Sequence, residues 1–439
     1  MINIKLYNMN KLVVLLVIVF TLLPGCNSKK QNKVQVQIED EITGIKIPEN
    51  FKISVVADNL GRGRHIVVND NGDIYMALNK LENGYGIVGI RDNNGDGIAD
   101  LIRYFGEYTG TGIDIYNGYL YFGSDTVIVR YRLRMGELVP DTIAEIIVSG
   151  FPNQDTHESK SITIDLLGNL YVNVGGPSNA CMELARTMGS PGIDPCPQLK
   201  RQGGIWKFNA NKPGQDQMKD GKRYATGIRN AVALKYNRKV QQLYAVQHGR
   251  DQLSQLYPDI YTEDDGVNLP AEEFFLIQEG DDFGWPYCYY DPFKVKKVLA
   301  PEYGGNGAIV GRCEFVKDPI LAFPAHLAPN CLAFYNKEMF PEKYRNGAFI
   351  AFHGSWNRAP QEQDGFFIGF VPFNGMYPEA QWEIFADGFA GKEVIKSPRE
   401  AVYRPMGIAI GPKGEMYISD SKKGKIWCIT YQAGTKKSN

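Results

Sequence analysis

Residues 64–77 read RHIVVNDNGDIYMA, in which alternating apolar positions run into an Asn-Gly turn and return as a second strand centred on Tyr75. Successive strand side chains point to opposite faces of a sheet, so this alternation predicts a β-hairpin with one buried face. The pattern recurs five more times, as GIDIYNGYLYFG (112–123), KSITIDLLGNLYVNV (160–174), VALKYNRKVQQLYAV (232–246), CLAFYNKEMFPEKYRNGAFIAF (331–352) and MGIAIGPKGEMYISD (406–420).

The spacing of these hairpins indicates how they assemble. By subtraction, the second-strand aromatics lie 46, 50, 73, 105 and 68 residues apart, at Tyr75, Tyr121, Tyr171, Tyr244, Phe349 and Tyr417. A propeller blade takes roughly 40–50 residues, so the first spacings fit bare blades and the later ones fit blades with long loops. One hairpin cannot bury its own apolar face, but several packed around an axis can. We therefore predict an all-β fold, a six-bladed β-propeller with long loop insertions in the later blades.

Composition places the chain among ordinary globular proteins. Of its 439 residues, 44% are hydrophobic and 22% are charged, and the formal net charge is −1. This balance gives no electrostatic reason to expect binding to nucleic acid or to a membrane surface.

The N-terminus has the pattern of an export signal. Lys5 and Lys11 precede an apolar run over residues 12–23, which is shorter than the roughly 20 residues that span a bilayer. The following Leu-Leu-Pro-Gly-Cys resembles a bacterial lipobox with Cys26 as the lipidated residue; a plain signal with a chance cysteine is the alternative. We expect a lipoprotein signal over 1–26, a polar tether over 27–43, the propeller over 44–432 and a disordered tail over 433–439. The protein would then be anchored to the bacterial cell envelope, periplasmic or at the cell surface, through lipid alone.

Export permits disulfides. Cys181 and Cys196 flank a short Gly/Pro-rich loop, and Cys288 and Cys313 flank a second insertion. Both pairs are expected to close loops that lack a core of their own, with six free thiols as the alternative.

Hairpin geometry predicts where a site lies. The first strand of an antiparallel pair begins where the second one ends, so residues at these positions should meet on one face around the channel. All five histidines and several arginines fall there, namely His65, His157, His248, His326, His353, Arg64, Arg229 and Arg404. A channel mouth lined with guanidinium and imidazole groups favours a small, multiply charged anion.

Longer motifs resemble a known family. They are HxxxxIxxxxxGxLYVxxG (157–175), YATGIRNAVAL (224–234), HGRDQL (248–253), PAEEFFLIQEGDDFGWPYCYYDPF (270–293), FHGSWNR (352–358) and YRPMGIAIGPKGEMYISD (403–420). Over residues 46–431 the chain resembles the soluble glucose/sorbosone dehydrogenases that depend on pyrroloquinoline quinone (PQQ), and it looks closest to their sorbosone-dehydrogenase-like branch.

The resemblance implies a site for PQQ and Ca²⁺. His157 matches the general base that takes the sugar hydroxyl proton, and Arg229 matches the cation that faces the quinone oxygen. The cofactor contacts implied with them are Asn230, Arg250, His353, Trp356, Arg358 and Arg404, with Trp356 as a loop buttress in the alternative. Ca²⁺ would be held near Gly249, Arg250 and Asp251, although this chain has Arg-Asp where the glucose enzymes carry Gly-Pro. Glu272-Glu273 is either a compensating carboxylate or a solvated acidic turn.

A second calcium candidate is independent of the resemblance. The segment 92–100 places oxygens at alternate positions of a Gly-containing loop, as an EF-type loop does, at Asp92, Asn94, Asp96 and Asp100. Arg103 stands where the bidentate Glu of such a loop would be, so the segment is either a weak structural calcium site or a polar turn.

These observations predict a PQQ-dependent sugar or sugar-aldehyde dehydrogenase. Because the sequence contains no CxxCH haem motif, its electrons would pass to a separate acceptor. Two alternatives stay open: a calcium-dependent lactonase on the same architecture, and a non-catalytic propeller that binds glycan or protein at the envelope.

Overall fold

A computed structural model describes residues 37–40, 43–140 and 143–432. The predicted signal, the lipidation site at Cys26, most of the tether and the 433–439 tail lie outside the described residues. Among the residues that are described, no helix is both long and apolar enough to cross a membrane.

Six sheets, each with four antiparallel strands and one with a fifth strand at its edge, confirm the predicted six-bladed propeller. Blade 1 is formed by Gly63–Val68, Ile74–Glu82, Tyr85–Arg91 and Leu101–Phe105. Blade 2 is formed by Gly110–Tyr116, Tyr119–Ser124, Ile128–Arg132 and Glu145–Ser149, with Gln215–Asp216 added in parallel at its edge. Blade 3 is formed by Ile162–Ile164, Asn169–Val174, Gly204–Asn209 and Lys222–Thr226.

The remaining blades carry the longer connections. Blade 4 is formed by Ala233–Asn237, Gln242–Gln247, Glu272–Ile277 and Leu321–Phe323. Blade 5 is formed by Pro329–Phe334, Ala348–Phe352, Phe367–Val371 and Glu383–Ala386. Blade 6 is formed by Pro405–Ile410, Met416–Asp420, Ile426–Tyr431 and Phe51–Ala57.

All six sequence-predicted hairpins form the first two strands of a blade. The first strands of neighbouring blades contact each other around the channel, and those of blades 6 and 1 close the ring. The fourth strand of blade 6 comes from the other end of the chain, because Phe51–Ala57 pairs antiparallel with Ile426–Tyr431. The ring is thus closed by hydrogen bonds between the two ends of the propeller sequence.

The second-strand aromatics pack between blades. The Tyr75 hydroxyl donates to Leu138 O, Tyr121 to Ala210 O and Tyr244 to Met376 O, each at 2.9 Å. Each hydroxyl thereby bonds a carbonyl in the segment of the following blade, so a buried polar group is satisfied where two sheets meet.

The loop insertions in blades 3 and 4 form a layer on one face. Both predicted disulfides, Cys181–Cys196 and Cys288–Cys313, are confirmed, and Cys331 and Cys428 are buried free thiols. The layer also contains two short helices, three 3₁₀ turns and a small hairpin, at Leu253–Leu256, Glu263–Asn268, Pro197–Lys200, Pro301–Tyr303, Gly311–Phe315, Cys288–Asp291 and Lys296–Leu299. Other minor elements are Gln37–Glu39 with Lys46–Pro48, Phe373–Asn374 with Tyr377–Pro378, and Glu342–Tyr344.

Candidate active site

A cavity of about 280 Å³ lies on the face of the propeller where the first strand of each blade begins and the second strand ends. His157, Arg229 and Arg404, which come from three different blades, share it. The other lining residues are Arg186, His248, Gly249, Asp251, Glu272, His326, Ala328, Asn330, His353, Gly354, Ser355, Trp356 and Asn357. The antiparallel pairing therefore brings residues that are up to 247 positions apart, His157 to Arg404, into one chamber.

His157 precedes the first strand of blade 3 in a left-handed backbone conformation, with φ 56°. Its Nδ1 lies 2.6 Å from Gly176 O, so this nitrogen carries the proton and Nε2 keeps a free lone pair. This position of His157 requires a glycine at residue 175, because a Cβ on Gly175 would come within 2.7 Å of the His157 Cβ. Burial first, and then the charge of Arg229, lowers the pKa of His157 to about 3. The imidazole is therefore a neutral proton acceptor near pH 7.

Arg229 is buried against the wall of the cavity. Its Nη1 donates to Gly249 O at 2.8 Å, and its Nη2 donates to an Asp251 carboxylate oxygen at 2.9 Å. Two longer bonds of 3.2 Å go to the backbone and side-chain oxygens of Asn179. The guanidinium is fixed in one orientation, as preorganised electrostatic stabilisation of a developing charge requires.

Arg404 has a different environment. Its guanidinium donates to the carbonyls of His353, at 3.0 Å, and of Gly354. Among the described residues no carboxylate lies within ion-pair distance of it, and burial lowers its pKa to about 10. Asp420 accepts the backbone amide of Arg404 at 2.7 Å and attracts its charge, but Arg404 has no ion-pair partner among the described residues, in contrast to Arg229.

His353 and Trp356 follow the second strand of blade 5. The ring of His353 is partly buried, with Nε2 2.7 Å from Ser421 Oγ, and desolvation followed by the charges of Arg404 and Arg64 lowers its pKa. Trp356 lines the cavity with half of its surface exposed, at 51%. Its indole therefore stands at the mouth of the cavity rather than in its floor.

Three residues implied as cofactor contacts do not line this cavity. Asn230 is buried beneath it and accepts a 3.0 Å bond from Asn173 Nδ2. Arg250 points into the insertion layer, where it forms a buried ion pair with Glu302 at 2.5 Å. Arg358 donates to Glu362 O at 3.1 Å and, through Nη1, to Val267 O and Ala325 O at 3.5 Å.

Glu272 is a cavity residue that the sequence left ambiguous. Glu272 and Glu273 are each 2% exposed within the strand Glu272–Ile277, so the interpretation as a solvated acidic turn is wrong. Glu272 accepts bonds from Gly249 N at 2.8 Å and Ala328 N at 3.1 Å. Burial raises its pKa to about 7, against the effect of these bonds. Glu273 points away and pairs with Lys297 at 2.9 Å.

Arg186 is a charged lining residue that sequence reasoning missed, as it also missed Ala328 and Asn330. It lies inside the loop closed by Cys181–Cys196, far from any strand end, and donates to an Asp251 carboxylate oxygen at 2.9 Å. The only sequence signal was the disulfide-closed loop itself, which carried no motif.

The loop 92–100 lies apart from the cavity, at the outer edge of blade 1 between Tyr85–Arg91 and Leu101–Phe105. Its carboxylates bind its own backbone: Asp92 accepts from Gly95 N and Gly97 N at 2.7 and 2.8 Å, and Asp100 accepts from Asn93 N at 2.7 Å. Asn94 and Asp96 cap the amides of Asp96 and Ile98 in the same way. These bonds explain the turn, and calcium binding by it stays a prediction.

Comparison with known proteins identifies the family. Residues 45–432 match the family described as TrAA12-like. The chain belongs to the TrAA12-like family. This membership confirms the family resemblance that the motifs indicated.

Individual relatives of this TrAA12-like chain are distant. A protein of Borreliella burgdorferi described only as uncharacterized is 23% identical over 424 residues, or 91% of this chain and 94% of the relative. The holo PQQ domain of Coprinopsis cinerea pyranose dehydrogenase is 17% identical with a TM-score of 0.70, over 88% of this chain and 97% of the other. The calcium structure of a Trichoderma reesei AA12 enzyme is 18% identical with a TM-score of 0.71, over 92% and 100%. These likenesses establish a shared fold.

Proposed function

We propose that this protein is a PQQ-dependent oxidoreductase that oxidises a sugar or a sugar aldehyde of the aldose or sorbosone type. The observation that carries the proposal is the shared cavity of His157, Arg229 and Arg404, which combines a neutral base with cations. A domain described as a PQQ domain and an AA12 enzyme have the same fold, and this supports the proposal.

The residues present fit PQQ, a flat molecule with three carboxylates. Arg404 has no carboxylate partner among the described residues and would bind one of these groups. Arg64 is outside the cavity lining and donates to the hydroxyls of Thr111, at 2.9 Å, and Ser159, at 3.1 Å. Trp356 at the mouth offers an aromatic face to a planar ring. The cavity of about 280 Å³ is close to the smallest usual ligand sites, roughly 300 Å³, which favours one small molecule over an oligosaccharide.

His157 is assigned as the general base. PQQ, when bound, supplies a two-electron acceptor for hydride from the sugar carbon. The His157 Nε2, whose lone pair is left free by the Nδ1 contact with Gly176 O, takes the sugar hydroxyl proton. Arg229, held by Gly249 O and Asp251, keeps a fixed positive charge beside the reacting groups.

The hydrolase alternative is less well supported by the same cavity. A metal-dependent lactonase needs carboxylates that are free to converge on an ion. Here Asp251 is bound by Arg229 and Arg186, and both oxygens of Glu272 accept backbone amides.

The proposal is tested by reconstituting the purified protein with PQQ in the presence of Ca²⁺ and measuring reduction of an artificial dye across a panel of aldoses and sugar aldehydes. We expect PQQ-dependent dye reduction with at least one substrate. Turnover of lactones without PQQ, together with no dye reduction, would replace the proposal by a hydrolase; ligand retention on a glycan array without either activity would indicate a binding protein.

A further inference from the structure

The carboxylate of Asp251 joins two guanidinium groups at the edge of the cavity. One oxygen accepts from both Arg229 Nη2 and Arg186 Nη2, each at 2.9 Å. The other oxygen accepts from Asn357 Nδ2 at 2.6 Å. Asp251 is 8% exposed, and these positive neighbours hold its pKa far below the usual range even though burial opposes ionisation. The carboxylate is thus ionised, and both of its oxygens accept hydrogen bonds from the protein.

The oxygens that a calcium ion would use here already accept hydrogen bonds from the protein. Ca²⁺ takes six to eight oxygen ligands. The carbonyl of Gly249 accepts Arg229 Nη1 at 2.8 Å, and both oxygens of Glu272 accept backbone amides. In the described part of the chain, no group of three or more His, Cys, Asp or Glu side chains is placed to hold a metal. A divalent cation here would also face two guanidinium groups, which repel it. The donor set therefore does not fit calcium.

We infer that this chain binds its acidic cofactor without a divalent cation, and that the Arg186–Asp251–Arg229 cluster supplies the positive charge at the position that the cation would take. The inference rests on the proposed function, because it concerns how the same cavity holds PQQ. It also gives the Arg-Asp sequence at 250–251 a role: Asp251 binds the two arginines, while Arg250 turns away to its own buried partner, Glu302.

Arg186 is held in place by the insertion layer. Its loop is closed by the Cys181–Cys196 disulfide and is joined to the second insertion by hydrogen bonds that include Gly192 N to Glu302 O at 2.8 Å and Tyr257 Oη to Ser190 O at 2.8 Å. A second contact of the guanidinium goes to Gln252 Oε1. Arg186 therefore reaches the cavity from a fixed loop and acts as a positioning residue for Asp251 and Arg229.

The test is a titration of PQQ into the full-length protein after treatment with EDTA, with and without added millimolar Ca²⁺, followed by quenching of tryptophan fluorescence. We expect the same dissociation constant in both conditions. Binding that appears only with Ca²⁺ would overturn this inference and leave the proposed function standing. No binding in either condition would overturn the proposed function and the inference with it.

Two variants separate the cluster from general charge effects. Arg186→Ala removes a side chain that is 36% exposed, so the protein is expected to fold. Loss of its charge should weaken PQQ binding in EDTA about tenfold, the lower range for a charge-assisted hydrogen bond. Arg312→Ala is the matched control, because Arg312 pairs with Asp194 in the same insertion layer at 47% exposure and does not line the cavity. Equal affinities for the two variants would contradict the inference.

Discussion

At the scale of single residues, the candidate chemistry depends on which charges the protein neutralises itself. Arg229 has Asp251 and Arg250 has Glu302, whereas Arg404 is held by backbone carbonyls alone. The imidazole of His157 is buried beside Arg229, and its pKa falls to about 3. The cavity therefore combines a neutral base beside the ion-paired Arg229 with a second cation, Arg404, that has no ion-pair partner among the described residues. This combination suits removal of a proton from a substrate bound beside an anionic cofactor.

Substitution of the base gives the first prediction. His157→Asn should lower the turnover of the PQQ-loaded protein by about 10²- to 10⁴-fold, the usual contribution of a general base, without changing PQQ affinity. His248→Asn is the comparison, because His248 lines the same cavity but its Nε2 donates to Pro329 O at 3.0 Å. Dye-reduction kinetics and PQQ titration measure both effects, and equal losses in the two variants would argue against the assigned base.

The buried histidines also predict how stability depends on pH. Burial lowers the pKa of His157 to about 3 and of His65 and His248 to about 4, and it also lowers those of His326 and His353. Unfolded histidine titrates near 6.5, so below that pH the unfolded chain binds more protons and the free energy of unfolding falls, by up to about 1.4 kcal/mol per histidine and pH unit.

Glu272 opposes this trend. Its pKa is raised to about 7 in the folded state, whereas an unfolded glutamate titrates near pH 4.3, so between these values only the folded state holds the proton. Five histidines outweigh it. The melting temperature should therefore be lower at pH 5 than at pH 7.5 in calorimetry; a higher value at pH 5 would show that these rings are not buried in the neutral form.

At the scale of elements, sequence periodicity predicted the hairpins but not the strand that pairs with a partner far along the chain. Each hairpin is local, so a strand period of two and an aromatic such as Tyr75 were enough to place it. Phe51–Ala57 completes blade 6 by pairing with a strand about 375 residues away, and no local pattern records such a partner. Arg186 was missed because the packing of an insertion, not strand order, decides whether it reaches the cavity. Glu272 was ambiguous because it begins the third strand of blade 4, which the hairpin pattern of first and second strands does not place.

Removing the Cys181–Cys196 disulfide tests the role of the first insertion. The double variant Cys181→Ser/Cys196→Ser should lose about 3 kcal/mol of stability, as expected for a 15-residue loop, and should bind PQQ more weakly because Arg186 is no longer fixed. Denaturant unfolding and PQQ titration provide the two measurements.

The matched control is Cys288→Ser/Cys313→Ser, which opens a loop of 25 residues that contributes nothing to the cavity lining. It should lose comparable stability and keep its PQQ affinity. The role given to the first loop fails if the two double variants lose affinity equally.

At the scale of the whole molecule, the cavity exists only when the ring is closed. Its lining comes from blades 3, 4, 5 and 6 and from the insertion layer, and the first strands of blades 6 and 1 complete the circle. A change that opens the ring should therefore abolish cofactor binding without touching any residue of the site.

Truncation tests this closure. A protein that begins at residue 58 lacks Phe51–Ala57 and leaves Ile426–Tyr431 as an open edge, so it should aggregate or unfold at a much lower temperature. A protein that begins at residue 45 keeps the closing strand and should melt cooperatively. Comparable melting of the two forms would show that the pairing is dispensable.

The predicted lipid anchor is tested separately. In a bacterial expression host, the wild-type protein is expected in the membrane fraction and Cys26→Ser in the soluble fraction. Soluble wild-type protein would favour a plain secretory signal with a chance cysteine.

The most direct test of the central claim is a crystal structure of the protein grown with PQQ. We expect PQQ inside the cavity of His157, Arg229 and Arg404, with a carboxylate on Arg404 and the free Nε2 of His157 facing the substrate space. PQQ bound elsewhere, or a cavity that stays empty at saturating PQQ, would contradict it.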